Sequence, residues 1–163
     1  MAEINTDEVM RHLGGARSAE EVARALDDDI TAFATGSQRR WTVTLRASGE
    51  PVGRCGLFRV RTPSAPEALR GEPEVGWTFA RTHWGHGYAA EAARAVIGLA
   101  FAGQDCDAIF AQTSDANLGS TALMQRLGMS RAPGLDYVDP DYEPEENPTR
   151  VYCLTRANWE TTP

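Results

Sequence analysis

An α+β fold, with a mixed and mostly antiparallel sheet flanked by helices, is predicted by three observations. Apolar and polar residues alternate along residues 41–45 and 74–79, which is the period of half-buried strands. A segment with two glycines, residues 84–89, then leads from a strand into a small-residue helix. A further strand, a helix and two more strands complete the chain, so parallel and antiparallel neighbours are both expected. With 163 residues and no repeat, low-complexity linker or composition break, residues 1–163 read as a single domain.

The elements follow in order. A short helix over residues 7–13 ends at Gly14-Gly15. Ser18 and Glu21 have capping-box spacing. Val22, Leu26, Ile30 and Phe33 follow at helical intervals, so this helix runs to about residue 34 and stops at Gly36. Trp41, Val43 and Leu45 mark the first strand, Ser48-Gly49-Glu50-Pro51 a turn, and residues 52–60 the returning arm of a hairpin. Residues 62–73 form a loop rich in Pro and Ala. Val75, Trp77 and Phe79 mark the third strand. Residues 88–102 form a helix whose alanines let it lie close against a sheet. Residues 108–113 are the next strand. Ser114 or Asp115 can cap a helix near residues 116–127, which Gly128 ends. Residues 129–132 form a short strand, 134–148 a long acidic loop, and 150–156 the last strand.

Composition excludes several classes. The apolar share of 42% and charged share of 24% are those of an ordinary soluble domain. No apolar run approaches a membrane span, and Met1-Ala2-Glu3 does not open a signal peptide, so a cytoplasmic protein without a membrane partner is expected. Cys55, Cys106 and Cys153 form no C-x-x-C and fall in or beside apolar runs, which reads as reduced, buried thiols. His12, His83 and His86 lack metal-like spacing, so no metal is expected. The net charge of −7 argues against nucleic acid and is compatible with a cationic substrate.

Residues 84–89 read Trp-Gly-His-Gly-Tyr-Ala. A glycine loop opening a helix makes an anion site, because free backbone N–H groups and the positive helix end point at one place. The absence of Cβ at two positions lets a phosphate come close. A phosphate-bearing cofactor is therefore expected. The segment fits G-x-G-x-x-A, the dinucleotide fingerprint, but that pattern needs a strand running straight into the first glycine and an acidic residue ending the next strand. Here residues 81–84 intervene, and Asp105 and Asp107 precede the next strand.

The same loop resembles the pyrophosphate loop of the GNAT acetyltransferase superfamily, R/Q-x-x-G-x-G/A, with Trp84 at the first position. The form Trp84-Gly85-His86-Gly87-Tyr88-Ala89, followed by Ala90-Glu91-Ala92, is similar to the RimJ/RimL-type N-acetyltransferase branch. Asn117-Leu118-Gly119-Ser120 with Leu127-Gly128-Met129 resembles a second block of that branch. Residues 8–15 resemble its E-V-M-x-x-L-G-G segment, and residues 139–148 with Val151-Tyr152 its acidic, Pro-rich loop and last strand. The resemblance covers nearly the whole chain in order. Members of the branch begin with an additional strand and a longer first helix, so the first strand is read here as missing or truncated. That would leave the strand at residues 41–45 as an exposed edge, to be covered by a partner subunit or a rearranged N-terminus; a monomer or a homodimer is expected.

The resemblance implies acetyl-CoA as cosubstrate and direct transfer of the acetyl group to a primary amine: a protein N-terminus, a polyamine or an amino-bearing small molecule. A non-catalytic acyl-CoA-binding protein of the same fold and a nucleotide-dependent oxidoreductase are the competing classes. By resemblance, the backbone of Gly85, His86, Gly87, Tyr88 and Ala89, beside Trp84, holds the pyrophosphate. The strand end at Phe79-Ala80 pairs with the pantetheine arm and offers a free N–H to the thioester carbonyl. Asn117 bonds the pantetheine and Ser120 faces the sulfur, although both residue types also cap helices. Met124 stands where many members place an acid tyrosine, which leaves Ser120, a water or Tyr137 to protonate the thiolate. Glu74 alternates with Val75 and Trp77, faces the other side of the sheet, and is the candidate base; a solvated strand-end carboxylate is its other reading. Glu91 reads as helix-dipole compensation. Two acidic clusters, Asp27-Asp28-Asp29 and Asp136, Asp139, Asp141, Glu143, Glu145 and Glu146, border the acceptor mouth in the implied arrangement, which points to a cationic amine acceptor.

Overall fold

Local hydrogen bonds set the first elements. The computed structural model describes residues 2–35, 39–103 and 106–161. The Thr6 side chain accepts the Val9 N–H at 3.3 Å and opens α1 (Asp7–Met10), shorter than the sequence expectation because turns take over before Gly14 and Gly15. Ser18 and Glu21 form the expected reciprocal box: the Ser18 N–H donates to Glu21 at 2.8 Å and the Glu21 N–H to Ser18 at 3.2 Å. This starts α2 (Ala19–Ala34). Its expected stop, Gly36, lies outside the described residues.

The sheet has six strands: β1 (Arg39–Thr44), β2 (Pro51–Arg59), β3 (Pro73–Phe79), β4 (Ala108–Thr113), β5 (Ser130–Arg131) and β6 (Arg150–Thr155), in the order β1-β2-β3-β4-β6-β5. All neighbours are antiparallel except β3 and β4. β1 is the edge strand, as expected. Its register slips between Val43 and Thr44, and such an irregularity blunts an edge.

Alternation divides the sheet into two faces. Cys55, Leu57, Val75, Ile109, Ala111, Tyr152 and Leu154 point to one face, where α3 (Tyr88–Gly103) covers them with Ala93, Val96, Ile97, Ala100 and Phe101. Met124 of α4 (Leu118–Arg126) and Leu127 join the same core. A smaller cluster of Val60, Ala65, Leu69, Phe110 and Val151 lies on the other face under the late loop. The rest of that face, between β1 and β4, is left for the site.

Three features depart from the sequence reading. Helix α4 is capped by Asn117, whose Oδ1 accepts the Ser120 N–H at 3.1 Å, and not by Ser114 or Asp115. Both of those side chains are engaged elsewhere, Ser114 donating to Glu146 and Asp115 accepting from Arg150. The chain after β6 turns directly into a helix the sequence did not show, α5 (Arg156–Thr161), where Arg156 reaches the Phe101 and Cys106 carbonyls at 2.7 and 3.0 Å. The apolar stripe of α2 is not buried: Ile30 is 67% and Phe33 55% exposed, whereas Val22, Ala25, Leu26 and Asp29 are half-buried, with Asp29 paired to Arg54 and Arg40 of the sheet. The three cysteines are free thiols, with Cys55 buried and the others half-buried. Among the described residues no helix is long and apolar enough to cross a membrane.

Candidate active site

The parting of β3 and β4 creates the site. These parallel strands share one registered pair, Glu74 with Phe110. The Ala80 N–H donates to the Val52 carbonyl at 2.9 Å, which fixes the parity of the antiparallel β2–β3 ladder. Even-numbered residues of β3 therefore turn their backbone groups to β2, and Val75, Trp77 and Phe79 turn theirs towards β4. Beyond Glu74 no β4 residue is in register to receive them. The donors open to a ligand are thus the Trp77 and Phe79 N–H groups: of the strand end Phe79-Ala80, β2 takes the Ala80 N–H and leaves that of Phe79. Phe79 is held in place by Gly53, since a Cβ at that position would lie 2.5 Å from the Phe79 ring and 2.7 Å from the Thr78 carbonyl.

A cavity of about 420 Å³ opens on the sheet face next to this parting. It brings together Glu74, Asn117, Ser120 and Tyr137, which the sequence had singled out, with Met124 at its wall. Glu74 is half-buried. Burial pushes its carboxyl up to about 7, against the pull of a hydrogen bond from Gln112. The Gln112 Oε1 in turn accepts the Tyr137 hydroxyl at 2.7 Å. Burial also pushes the Tyr137 hydroxyl up to about 12, with a bond to Thr62 acting against it and the charges of Asp139 and Glu74 adding to it. A carboxyl that titrates near neutrality therefore stands two hydrogen bonds from a hydroxyl that keeps its proton.

The glycine loop lies outside the lining of this cavity. After a 3₁₀ turn at Arg81–His83, Gly85 and Gly87 adopt φ of +79° and +84°, and a Cβ at either would meet nothing within 4 Å. The loop is open backbone, and α3 starts at Tyr88 immediately after it. The N–H groups of residues 85–89, at the positive end of a 16-residue helix, fit a pyrophosphate. Trp84 does not point into this cradle: its indole N–H donates to the Phe79 carbonyl at 2.8 Å and Arg81 covers its ring at 4.9 Å. It ties the loop back to the end of β3. His86 Nδ1 donates to the Trp84 carbonyl at 2.9 Å, and the ring stacks on Tyr88 at 5.6 Å.

The acidic late loop is more ordered by its own charges than the sequence suggested. Tyr137 bridges to Thr149. Asp136 takes two bonds from Arg131 at 3.0 and 2.6 Å, one from Arg150 at 3.0 Å and the Val151 N–H at 3.0 Å. Burial disfavours the charge, yet Arg131, the Val151 N–H and Arg150 hold that carboxyl down at about 2. Asp139 is 4% exposed and accepts from Ser64 and the Asp141 N–H. Glu146 accepts from Ser114 and meets His12 Nδ1 at 2.8 Å, which closes the cavity wall between the first turn of the chain and the loop. Three of the six carboxylates are therefore spent inside the fold, and Asp141, Glu143 and Glu145 are exposed. Of the other cluster, Asp29 pairs with Arg54 and Arg40.

Several cavity residues carried no sequence signal. Gln112, His12, Arg40 and Arg54 line it from four different elements or turns. Only the two-residue spacing of Gln112 from Phe110 on β4, whose partner on β3 is Glu74, could have placed the glutamine on the same face. On the surface away from this lining, Glu3, Glu50 and His83 bring ligand-type atoms within 4.8 Å of one another, a grouping that sequence spacing could not show.

Comparison with known proteins bears on the family and the fold. The family described as "Acetyltransferase (GNAT) domain" matches residues 1–130. The FsC-acetyl coenzyme A-N(2)-transacetylase of Aspergillus fumigatus is 32% identical over 116 residues, covering 69% of this chain and 49% of that protein. The chain spans about half the length of the curated relatives it matches. Among solved structures, an acetyltransferase from Agrobacterium tumefaciens has a TM-score of 0.69 at 26% identity, covering 90% of this chain and 78% of that one. A spermidine N-acetyltransferase from Vibrio cholerae, in complex with CoA and spermine, has a TM-score of 0.74 at 13% identity, covering 98% and 89%, a likeness of fold. With the fold, the open glycine loop and the family match in agreement, the chain belongs to the GNAT acetyltransferase family.

Proposed function

We propose that this protein is an acetyl-CoA-dependent N-acetyltransferase of the RimJ/RimL type, which moves an acetyl group directly to a primary amine in a ternary complex. The observation that carries the reading is Glu74: a half-buried carboxylate with its pKa held near 7, facing a cavity at the point where β3 and β4 part. The amine acceptors of the fold neighbours and the acetyl-coenzyme A chemistry in the name of the Aspergillus relative support it. The Trp-Gly-x-Gly-Tyr-Ala wording of the loop supports the branch, and the uncrosslinked thiols fit work in the cytoplasm.

Bound acetyl-CoA supplies an activated acetyl thioester. The backbone N–H groups of residues 85–89 hold its pyrophosphate, and those of Trp77 and Phe79 hold the carbonyl and the adjoining amide. Glu74 takes a proton from the incoming ammonium, so that a neutral amine faces the carbonyl. Ser120, in the first turn of α4, and Tyr137, whose raised pKa keeps it protonated, are the candidate donors to the departing sulfur. No metal is required.

The test is free CoA release from acetyl-CoA with a mixed amine panel. Amine-dependent release that Glu74→Gln lowers about a hundredfold is the expected result. Tight acetyl-CoA binding with no release from any amine would favour the non-catalytic acyl-CoA-binding reading, and binding of NAD(P) would favour the oxidoreductase.

A further inference from the structure

The cavity face carries cations that amine transfer does not explain. Arg40 of β1 and Arg54 of β2 both line it, on the same sheet face as Glu74. The two guanidiniums share one carboxylate, Asp29 of α2. Arg54 is only 13% exposed in its side chain, and its Nε is buried with no hydrogen-bond partner. Burial pulls the Arg40 pKa down; Asp29 acts against this, while the positive charges of Arg54 and Arg17 add to it. Arg17 also stands in the cavity lining. A wall of three cations and one local carboxylate is unexpected in a chain of net charge −7, and a buried donor without a partner is the costly condition that a ligand relieves.

The spacing suits a small bifunctional molecule. Arg54 is in register with Thr78, four residues from Glu74 along β3, or about 13 Å at the usual rise. Arg40 is in register with Gly56, which faces Gly76, so it stands two strands and two residues from Glu74. Long arginine side chains reach back across part of that distance. A planar guanidinium fork matches carboxylates and phosphates, and a volume of about 420 Å³ is in the range of small-ligand sites.

We propose that Arg40 and Arg54, with Arg17 at the rim, form an anion subsite that receives a carboxylate or phosphate of the acceptor. The acceptor is then an amino acid-like molecule, with its amine at Glu74 and its anion at the arginines. This rests on the amine-transfer reading of the same cavity, and it separates this protein's acceptor from purely cationic amines.

The experiment uses calorimetry on the CoA-saturated protein with ω-amino acids from glycine to 6-aminohexanoate, each beside its carboxamide, and with 2-aminoethyl phosphate beside 2-aminoethanol. At one chain length the anionic member should bind at least tenfold more tightly than its neutral partner, and the arm showing the preference identifies carboxylate or phosphate. Arg40→Gln should bring that ratio to near one, and Asp29→Asn, which frees both guanidiniums, should raise it. If Arg40 and Arg54 only clamp α2 to the sheet, both variants will melt earlier and leave the ratio unchanged, which overturns the subsite. Equal binding of acids and amides, or no binding of either, overturns it too. CoA release followed in parallel separates the two readings. Release at equal rates from acids and amides leaves transfer standing without the subsite. Anion-selective binding without release leaves the subsite standing without transfer.

Discussion

The loop at residues 85–89 presents backbone to solvent, whereas the cavity around Glu74 presents side chains gathered from helices, strands and the late loop. The loop needs only two residues without Cβ and a helix behind them. It is a local object, and its chemistry is the same whatever surrounds it. The cavity depends on a relay from Glu74 through Gln112 to Tyr137, on a wall closed by His12 and Glu146, and on ion pairs that fix the late loop. The difference teaches that, under the proposed reading, the loop tolerates sequence change outside its own residues, while the cavity can be altered by substitutions in residues that would never touch the amine.

The largest expected effect separates the halves at Glu74. Glu74→Gln should lower kcat/KM about a hundredfold at pH 8 and leave acetyl-CoA affinity unchanged. In the wild type the carboxyl must be ionised to take a proton, so the rate should climb as pH passes about 7 and level above it; the variant should lose that limb. Because burial raises this pKa from its ordinary 4.5, the native state holds a proton that the unfolded chain releases, and stability should fall as pH rises from 4.5 through 7. Denaturant unfolding at pH 5 and pH 8 should show roughly 1–3 kcal/mol of this loss in the wild type and none in Glu74→Gln.

The next effect tests whether ion pairs hold the acceptor wall. Asp136→Asn should destabilise the protein by about 2–4 kcal/mol at pH 7, since it leaves Arg131 and Arg150 without their shared carboxylate. The depressed pKa makes this stability present above the ordinary 3.8 and lost as pH falls towards 2, so melting curves of wild type and variant should converge at the acid end. A variant that melts with the wild type at pH 7 would show that the loop is held by packing alone.

The loop half is tested by Gly87→Val against Gly49→Val. Both glycines have positive φ and open space at Cβ, so both variants should pay about 1–2 kcal/mol of backbone strain. Only Gly87→Val should also weaken acetyl-CoA, by tenfold or more in calorimetry. Equal affinity in the two variants would remove the loop from cofactor binding.

The smallest effect is at Asn117, where the halves meet. As the cap of α4 it should cost about 1 kcal/mol when replaced by Ala, with acetyl-CoA affinity changed less than threefold. A large loss of affinity at unchanged stability would give it the pantetheine contact that the resemblance implies.

The legible parts share a reason. The alternation at residues 41–45 and 74–79, the box at Ser18 and Glu21 and the glycines at 85 and 87 each act within a few residues, so their patterns survive in the linear chain. Glu74 was legible as a residue on the opposite face from Val75 and Trp77, but not as a base near pH 7, because desolvation comes from elements distant in sequence. Ser114 and Asp115 looked like caps; Glu146 and Arg150, more than thirty residues on, claim them instead. The acidic loop looked like one charged surface, yet arginines and buried hydroxyls consume half of its carboxylates.

By itself the sequence determined the strands, the start of α2, the glycine loop and the family, because period, capping and conformational freedom are local properties of the chain. The tertiary structure alone decided which β3 donors remain free, since that follows from strand parity against β2 and from the early parting of β4. It also decided what lines the cavity. Three arginines, a histidine and a glutamine line the same cavity as Glu74 only because separate elements fold over one face of the sheet, and Coulomb and desolvation energies depend on distance through space and not along the chain.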